Sequence, residues 1–175
     1  MRLDAPLRGS QLTLRRLTSA DASGPYLGWM TDPRVLRYLE ARHVTHHVAS
    51  LTTFIESSNS DPAVLLLGIV TADGRHIGNI KLGPIDAQHR RADIGILIGE
   101  TTMWGRGYAP EAIRTLAGHA FGRLRLRKLT AGFYESNGGS IRAFQKAGFQ
   151  EEARLVAHWR LDNAREDGIL MAKFP

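Results

Sequence analysis

Two glycines beside a predicted helix start are the first candidates for chemistry in this chain. Trp104–Ala109 reads WGRGYA, and Pro110 follows at a position that suits the first turn of a helix. Gly105 and Gly107 allow backbone angles that other residues avoid, and they leave the main chain bare. The free N–H groups of a helix start carry partial positive charge and bind phosphate. The stretch is therefore either an anion socket or a tight turn before a helix.

A second stretch narrows the choice of ligand. Asn137–Phe149 reads NGGSIRAFQKAGF and predicts a helix that Gly148 ends. The chain lacks a Walker lysine–serine pair, and no G-x-G-x-x-G follows a strand. Nucleoside triphosphate and dinucleotide signatures therefore do not fit.

Together the two stretches resemble the acetyl-CoA-binding motifs of the GCN5-related N-acetyltransferase (GNAT) superfamily. Its loop is usually Gln/Arg-x-x-Gly-x-Gly/Ala, and Trp104 departs from it at the first position. The form W-G-x-G-Y-A is frequent in the branch that acetylates N-terminal alanines of ribosomal proteins and in relatives acting on aminosugars. The segment 12–39 also resembles that branch, so the resemblance covers nearly the whole chain. It implies one α+β domain over residues 1–175, with a mostly antiparallel twisted sheet of about seven strands and helices on both faces.

The resemblance also implies acetyl-CoA as acyl donor, no metal, and a set of cofactor contacts. Amides of the glycine loop would hold the pyrophosphate, with a charge-assisted contact from Arg106. The strand 94–98 would splay from the strand ending near Tyr134 and admit the pantetheine arm. Asn137 would lie near the thiol, although Asn137 and Ser140 also suit helix capping, and Tyr108 also suits packing. The expected cofactor residues are Ile96, Leu97, Ile98, Trp104, Gly105, Arg106, Gly107, Tyr108, Ala109, Asn137, Ser140 and Phe144.

Two catalytic side chains that the resemblance leads one to expect are missing. Many family members carry a tyrosine seven residues after the motif asparagine, which protonates the CoA thiolate, and this chain has Phe144 there. The ribosomal type carries a glutamate base five residues before that asparagine, and this chain has Gly132.

Other side chains could supply the acid and the base. Asp93, in a DIG triplet where relatives often have EIG, and Glu135 are candidate bases. Tyr134 is a candidate acid. The alternative for Asp93 is a partly exposed edge carboxylate, or a partner for Arg90 or Arg91.

The acceptor site is expected between the early helices and the last hairpin. Candidate substrate contacts are Trp29, Tyr38, His43 and His158, with Trp159 beside the last. Trp29 and Tyr38 also suit the core. The cluster RHVTHH around His43 also suits a solvated surface, and its spacing alone is weak support for a metal site.

Hydrophobic patterns predict the elements that position these residues. A mixed sheet follows, because single helices between strands imply parallel neighbours and hairpins imply antiparallel ones. The predicted elements are a strand at 11–17, helices at 19–30, 31–41 and 47–59, a hairpin turning at Asp73-Gly74, strands at 91–99 and 126–137, a helix at 139–149 and two last strands joined at Asp162-Asn163.

Composition excludes several classes of protein. The chain has no cysteine, so disulfides, thiolate zinc sites and a cysteine nucleophile are ruled out. The longest apolar run, Ala63–Val70, is far shorter than the roughly 20 residues of a membrane-spanning helix, and the first residues lack a signal-peptide core. We therefore expect a cytoplasmic protein that acts away from membranes.

The acceptor stays open between classes of amine. We favour a small-molecule primary amine, an aminosugar or its nucleotide-linked form, over a protein N-terminus. Polyamines are less favoured, because a net charge of +6 repels them. The missing catalytic residues also allow a catalytically silent acyl-CoA sensor. The cluster Arg123–Lys128 allows nonspecific nucleic-acid binding, without a specific motif. A homodimer is common among relatives.

Overall fold

One mixed β-sheet organises the chain. The computed structural model describes residue 3 and residues 5–175. The strands are β1 (Leu7–Arg8), β2 (Leu12–Arg16), β3 (Leu65–Thr71), β4 (His76–Asp86), β5 (Arg91–Ile98), β6 (Lys128–Tyr134), β7 (Gln150–Leu161) and β8 (Ala164–Lys173). They lie in the order β1-β2-β3-β4-β5-β6-β8-β7, and β5 and β6 form a parallel pair among antiparallel neighbours. The sheet has one strand more than predicted, because the two-residue β1 is too short to show alternation in the sequence.

The helices in the described residues are α1 (Pro25–Trp29), α2 (Pro33–Leu36), α3 (Val48–Ser60), α4 (Tyr108–Gly122) and α5 (Gly138–Lys146), with 3-10 turns at Ser19–Ser23, Glu40–His43 and Thr101–Met103. The first predicted helix, 19–30, is in fact divided into a 3-10 turn and α1. Gly24 is extended (φ −87°, ψ −152°), since a residue before proline avoids helical angles. Among the residues that the structure describes, no helix is long and apolar enough to cross a membrane.

Helices cover both faces of the sheet, as predicted. The α4 face carries α4 and α5, and its buried side chains include Leu14, Ile80, Leu116, Phe133 and Phe144. The α1 face carries α1, α2 and α3, and its buried side chains include Leu17, Trp29, Leu36, Ile55 and Leu66. Successive side chains of a strand point to opposite faces, so neighbouring residues of β6 serve different layers.

Local turn chemistry sets both predicted hairpins. Gly74 has a φ of 85°, and its N–H donates to the Thr71 carbonyl at 2.9 Å. Asp162 and Asn163 have φ values of 49° and 66°, which Asp and Asn tolerate better than most residues. The second hairpin carries Trp159 to the same end of the sheet as the carboxyl end of β6.

Candidate active site

The glycine loop, residues 104–107, forms a turn directly before α4. Gly105 and Gly107 have φ values of 76° and 88°, in the region that favours glycine. A Cβ on either would meet no heavy atom of the described residues within 4 Å, so open space lies beside the loop. Gly107 is the N-cap of α4 and has no side chain to occupy the first amides of the helix. The loop therefore fits a phosphate group, with the exposed Arg106 beside it.

The strand on one side of the loop separates from its neighbour. β5 and β6 pair over Arg91–Asp93 and Lys128–Thr130. β5 then continues to Ile98 along β4, while β6 continues to Tyr134 along β8. The separation that the resemblance implies is thus present, and it leaves a gap open toward the glycine loop.

Backbone groups of β5 line this gap. The N–H of Gly99 donates to the Ile77 carbonyl on β4 at 2.9 Å. Since such groups alternate along a strand, those of Ile96 and Ile98 face away from β4 and into the gap. The indole Nε1 of Trp104 donates to the Ile98 carbonyl at 2.7 Å, which ties the glycine loop to β5. Ile96 thus offers its N–H and carbonyl to an extended arm such as pantetheine.

Two glycines keep the gap open on the α1 face. Gly95 on β5 and Gly132 on β6 are both exposed. A Cβ at Gly95 would meet nothing in the described chain within 4 Å, and a Cβ at Gly132 would first meet Leu170 at 3.5 Å. Leu97, next on this face of β5, packs against the cluster around Trp29. The open stretch therefore lies between the last paired residues and Leu97.

The start of α5 follows the end of β6. Asn137 Oδ1 accepts from the Ser140 N–H at 3.3 Å, and the Asn137 N–H donates to the Tyr134 carbonyl at 2.9 Å. Both residues therefore cap the helix, and both are half-buried. Phe144, also expected at the cofactor, is 1% exposed and lies in the core.

Tyr134 ends β6 with its hydroxyl in a defined network. The hydroxyl donates to Glu40 Oε1 and accepts from Arg42 Nη2 at 2.8 Å. Burial and the hydrogen bond to Glu40 raise the pKa of Tyr134, although Arg42 opposes them. The phenol is therefore protonated at neutral pH.

Two aromatic rings lie beside the Tyr134 ring, and a second carboxylate lies near the end of β6. Trp159 stacks on Tyr134 with ring centroids 5.1 Å apart, and Tyr38 lies 6.0 Å away. Glu166, paired with Trp159 across the last hairpin, accepts from the Ser136 hydroxyl at 2.7 Å. Aromatic faces combined with carboxylates suit a cationic or polar amine.

Comparison with known proteins agrees with this geometry. Residues 11–150 match the profile of the acetyltransferase (GNAT) domain family. The chain belongs to the GNAT family. It is an acetyl-CoA-dependent N-acetyltransferase, as its motifs indicate.

Several GNAT proteins are similar to it. The uncharacterized N-acetyltransferase p20 of Bacillus licheniformis is 27% identical over 158 residues, which cover 83% of this chain and 82% of p20. The spermidine N(1)-acetyltransferase of Escherichia coli (strain K12) is 29% identical over 106 residues, 61% of this chain and 56% of that one. The structure of spermidine N-acetyltransferase from Vibrio cholerae with CoA and spermine superposes with a TM-score of 0.84 at 24% identity, covering 94% of this chain and 96% of that chain. At that identity the likeness establishes the GNAT fold.

The two candidate bases lie apart from Tyr134. Asp93 is on the same face of the sheet as Tyr134 and accepts from the Thr130 hydroxyl. Its pairing partner Thr130 lies four residues before Tyr134 on β6, which is about 13 Å at about 3.3 Å per residue. Glu135 follows Tyr134 and so points to the α4 face, where Arg154 Nη1 contacts it at 2.5 Å. Neither carboxylate joins the cluster around Tyr134.

Two of the predicted substrate contacts lie near Tyr134 or Trp159, and a third lies in the core. Tyr38 joins the Tyr134 cluster, and its hydroxyl donates to the Ser136 carbonyl at 3.2 Å. The exposed His158 lies against Trp159 at 4.5 Å. Trp29 is instead 6% exposed in the core.

The histidines of the RHVTHH stretch have local contacts. His43 is exposed at the end of its 3-10 turn. His46 Nε2 lies 2.8 Å from the Ala41 carbonyl, and His47 Nδ1 accepts from the Ser50 N–H as the cap of α3.

Glu40, Arg42 and Glu166 belong to the candidate site but were not predicted from the sequence. Glu40 and Arg42 stand 94 and 92 positions from Tyr134, in a 3-10 turn without a motif. Glu166 lies in a strand whose register includes a bulge between Leu155 and Trp159. These residues could be predicted from the sequence only if it were already known which faces of the strands meet.

Proposed function

We propose that this acetyltransferase transfers the acetyl group of acetyl-CoA to a primary amine of a small molecule. The observation that carries the proposal is the open gap between β5 and β6, with the Tyr134 cluster at its mouth. When bound, acetyl-CoA supplies an acyl group activated on sulfur. Amides of 105–109 would hold its pyrophosphate, Ile96 would pair with pantetheine, and Asn137 would stand near the thiol.

The acceptor amine would approach on the α1 face. Glu40 has 60% of its side chain exposed, so an ammonium or amine can reach it. Trp159 and Tyr38 offer flat apolar surfaces next to Tyr134. The surface therefore holds an amine by charge and its carbon skeleton by ring contact.

Aminosugars, free or nucleotide-linked, are our first proposed class. Their hydroxyl groups would use the oxygens of Glu166 and Glu40 as acceptors, and a sugar ring would lie on Trp159. A protein N-terminus is a further outcome of the test below.

Polyamines are a second class, favoured by a specific observation. The net charge of +6 opposes their approach, but exposed Glu40 and half-buried Glu166 lie in the acceptor cluster itself. Short-range charge outweighs a surface average screened within about 10 Å. Two relatives described above carry spermidine acetyltransferase activity in their names, which supports this class.

Thiol release from acetyl-CoA, followed with a thiol-reactive dye over a panel of amines, tests the proposal. The panel holds aminosugars, nucleotide-linked aminosugars, spermidine and alanine- or serine-initiated peptides. The protein has no cysteine, so it contributes no background. Turnover on a small amine supports the proposal. Turnover on peptides alone contradicts it, and binding of acetyl-CoA without any turnover indicates a sensor.

Substitutions at the N-cap of α4 and inside α4 test the cofactor site. Gly107→Glu places bulk and negative charge over the loop amides and is expected to abolish acetyl-CoA binding in calorimetry. Gly107→Ala introduces the same left-handed backbone strain with little bulk, so it separates strain from blockage. Gly118→Glu is the matched control, because Gly118 is exposed in α4 with no heavy atom of the described chain within 4 Å of a Cβ. Equal affinity of Gly107→Glu and Gly118→Glu contradicts the socket.

A further inference from the structure

We propose that Glu40 and Tyr134 form a proton-transfer pair for the acetyl transfer. Glu40 accepts the proton of the acceptor amine, and Tyr134 gives its proton to the departing thiolate. This inference rests on the proposed function and assigns the acid–base groups of the same site.

The geometry of the pair carries the inference. The Tyr134 hydroxyl donates to Glu40 Oε1, so the two groups already share a hydrogen bond. Tyr134 is 5% exposed as a residue, whereas the Glu40 side chain is 60% exposed. One partner is therefore fixed at the end of the gap, and the other is open to the amine.

Arg42 holds this arrangement in place. Its side chain is 17% exposed, and its Nη1 donates to the Leu39 carbonyl at 3.1 Å. Its Nη2 donates to the Tyr134 hydroxyl at 2.8 Å, which directs the phenol proton toward Glu40. Arg42 is accordingly a positioning residue. It would also stabilise a transient phenolate.

The groups around Tyr134 favour the protonated phenol. Glu40 and Arg42 come from one 3-10 turn, with Tyr38 just before it. From the last hairpin come the uncharged Trp159 ring and Glu166, which is held by Ser136. Burial and Glu40 raise the pKa of the phenol more than Arg42 lowers it, so the phenol remains a donor at neutral pH.

The protons balance over one turnover. The amine nitrogen forms the bond to the acetyl carbon, and the carbon–sulfur bond breaks. The nitrogen proton passes to the Glu40 carboxylate, and the Tyr134 proton passes to the sulfur. The Glu40 carboxylic acid then returns a proton to the phenolate, and both groups regain their starting state.

A titration of the free protein tests the pair without acetyl-CoA. The chain has four tyrosines, so 13Cζ-tyrosine labelling gives few NMR signals, and Tyr134→Phe assigns the relevant one. Glu40→Gln removes the negative charge and is expected to lower the pKa of Tyr134. Glu56→Gln, an exposed carboxylate on α3, is the matched control and leaves it unchanged. An unchanged Tyr134 titration in Glu40→Gln overturns the pair.

Kinetics on the amine that turns over test the catalytic role. Glu40→Gln is expected to lower kcat about 10²- to 10⁴-fold, with KM for acetyl-CoA unchanged. The double variant with Tyr134→Phe is expected to be no slower than the slower single variant, since the two act as a unit. A Glu40→Gln enzyme that keeps the wild-type kcat overturns the pair alone. A wild type inactive on every amine overturns the proposed function itself.

Discussion

Trp29 packs against Gly99, so a methyl group added at Gly99 tests whether Trp29 is a core residue or a substrate contact. Gly99 follows β5 directly, and a Cβ there would overlap the indole ring of Trp29. Trp29 is 6% exposed and is held by Tyr26 at 6.1 Å and by His76 at 4.9 Å. The ring therefore has little room to move away, and Gly99→Ala forces α1 and β5 apart.

The size of the effect follows from this packing. Overpacking a core usually costs about 1–3 kcal/mol, and the overlap with a fixed indole ring places Gly99→Ala near the upper end. For a domain of this size, about 3 kcal/mol lowers the melting temperature by roughly 6–12 °C. Urea unfolding with tryptophan fluorescence gives the free energy of unfolding. Gly95→Ala, on β5, is the control for stability, since its Cβ would meet nothing in the described chain within 4 Å.

The outcome distinguishes two roles for Trp29. Loss of stability with an unchanged KM for the amine in the remaining folded enzyme supports a core role. If Gly99→Ala unfolds at the same urea concentration as Gly95→Ala, the packing argument is wrong. A raised KM for the amine without loss of stability would instead support a substrate contact by Trp29.

Two more predictions concern the gap and the acid stability of the fold. Gly95→Val is expected to keep or raise stability, since valine suits a strand, but to weaken acetyl-CoA binding by filling the gap; equal affinity in calorimetry argues against this route for pantetheine. Burial raises the pKa of Asp21, but hydrogen bonds from Arg15 and Thr18 outweigh it and lower the pKa to about 2. A carboxyl whose pKa is lowered by folding stabilises the fold at pH values above its unfolded-state pKa. The free energy of unfolding of the wild type should therefore exceed that of Asp21→Asn by about 1 kcal/mol, after allowing for solvent screening. This stability gap should shrink as the pH falls below about 4. Urea unfolding across that pH range measures it, and a gap that stays constant contradicts the role of Asp21.

Sequence predicted the parts of this fold that local chemistry decides. The hairpin turns at Gly74 and Asp162-Asn163 need residues that tolerate positive φ. The loop before α4 needs Gly105 and Gly107 for the same reason. Each of these signals lies within a few adjacent residues, so a single sequence can display it.

The cluster around Tyr134 depends instead on contacts between distant segments. Tyr134 and Glu135 are adjacent in sequence, yet strand alternation sends them to opposite faces. The bulge between Leu155 and Trp159 shifts the last hairpin so that Trp159 meets Tyr134. Register and bulges arise from tertiary packing, and no pattern in the sequence fixes them here.

The packing around Phe144 weakens the case for a silent sensor. That ring is 1% exposed, with Phe133 at 4.9 Å and Phe149 at 5.0 Å, so a tyrosine hydroxyl in its place would enter an apolar core. An unpaired hydroxyl there costs roughly 2–7 kcal/mol, so phenylalanine is what this core requires. The missing tyrosine is thus a consequence of packing and says little about activity, because the α1 face holds another phenol. Tyr134 ends β6 beside the gap, and under the proposal above Glu40 would supply the carboxylate that Gly132 lacks. The absence of two expected side chains therefore argues for relocated acid–base groups more strongly than for lost catalysis.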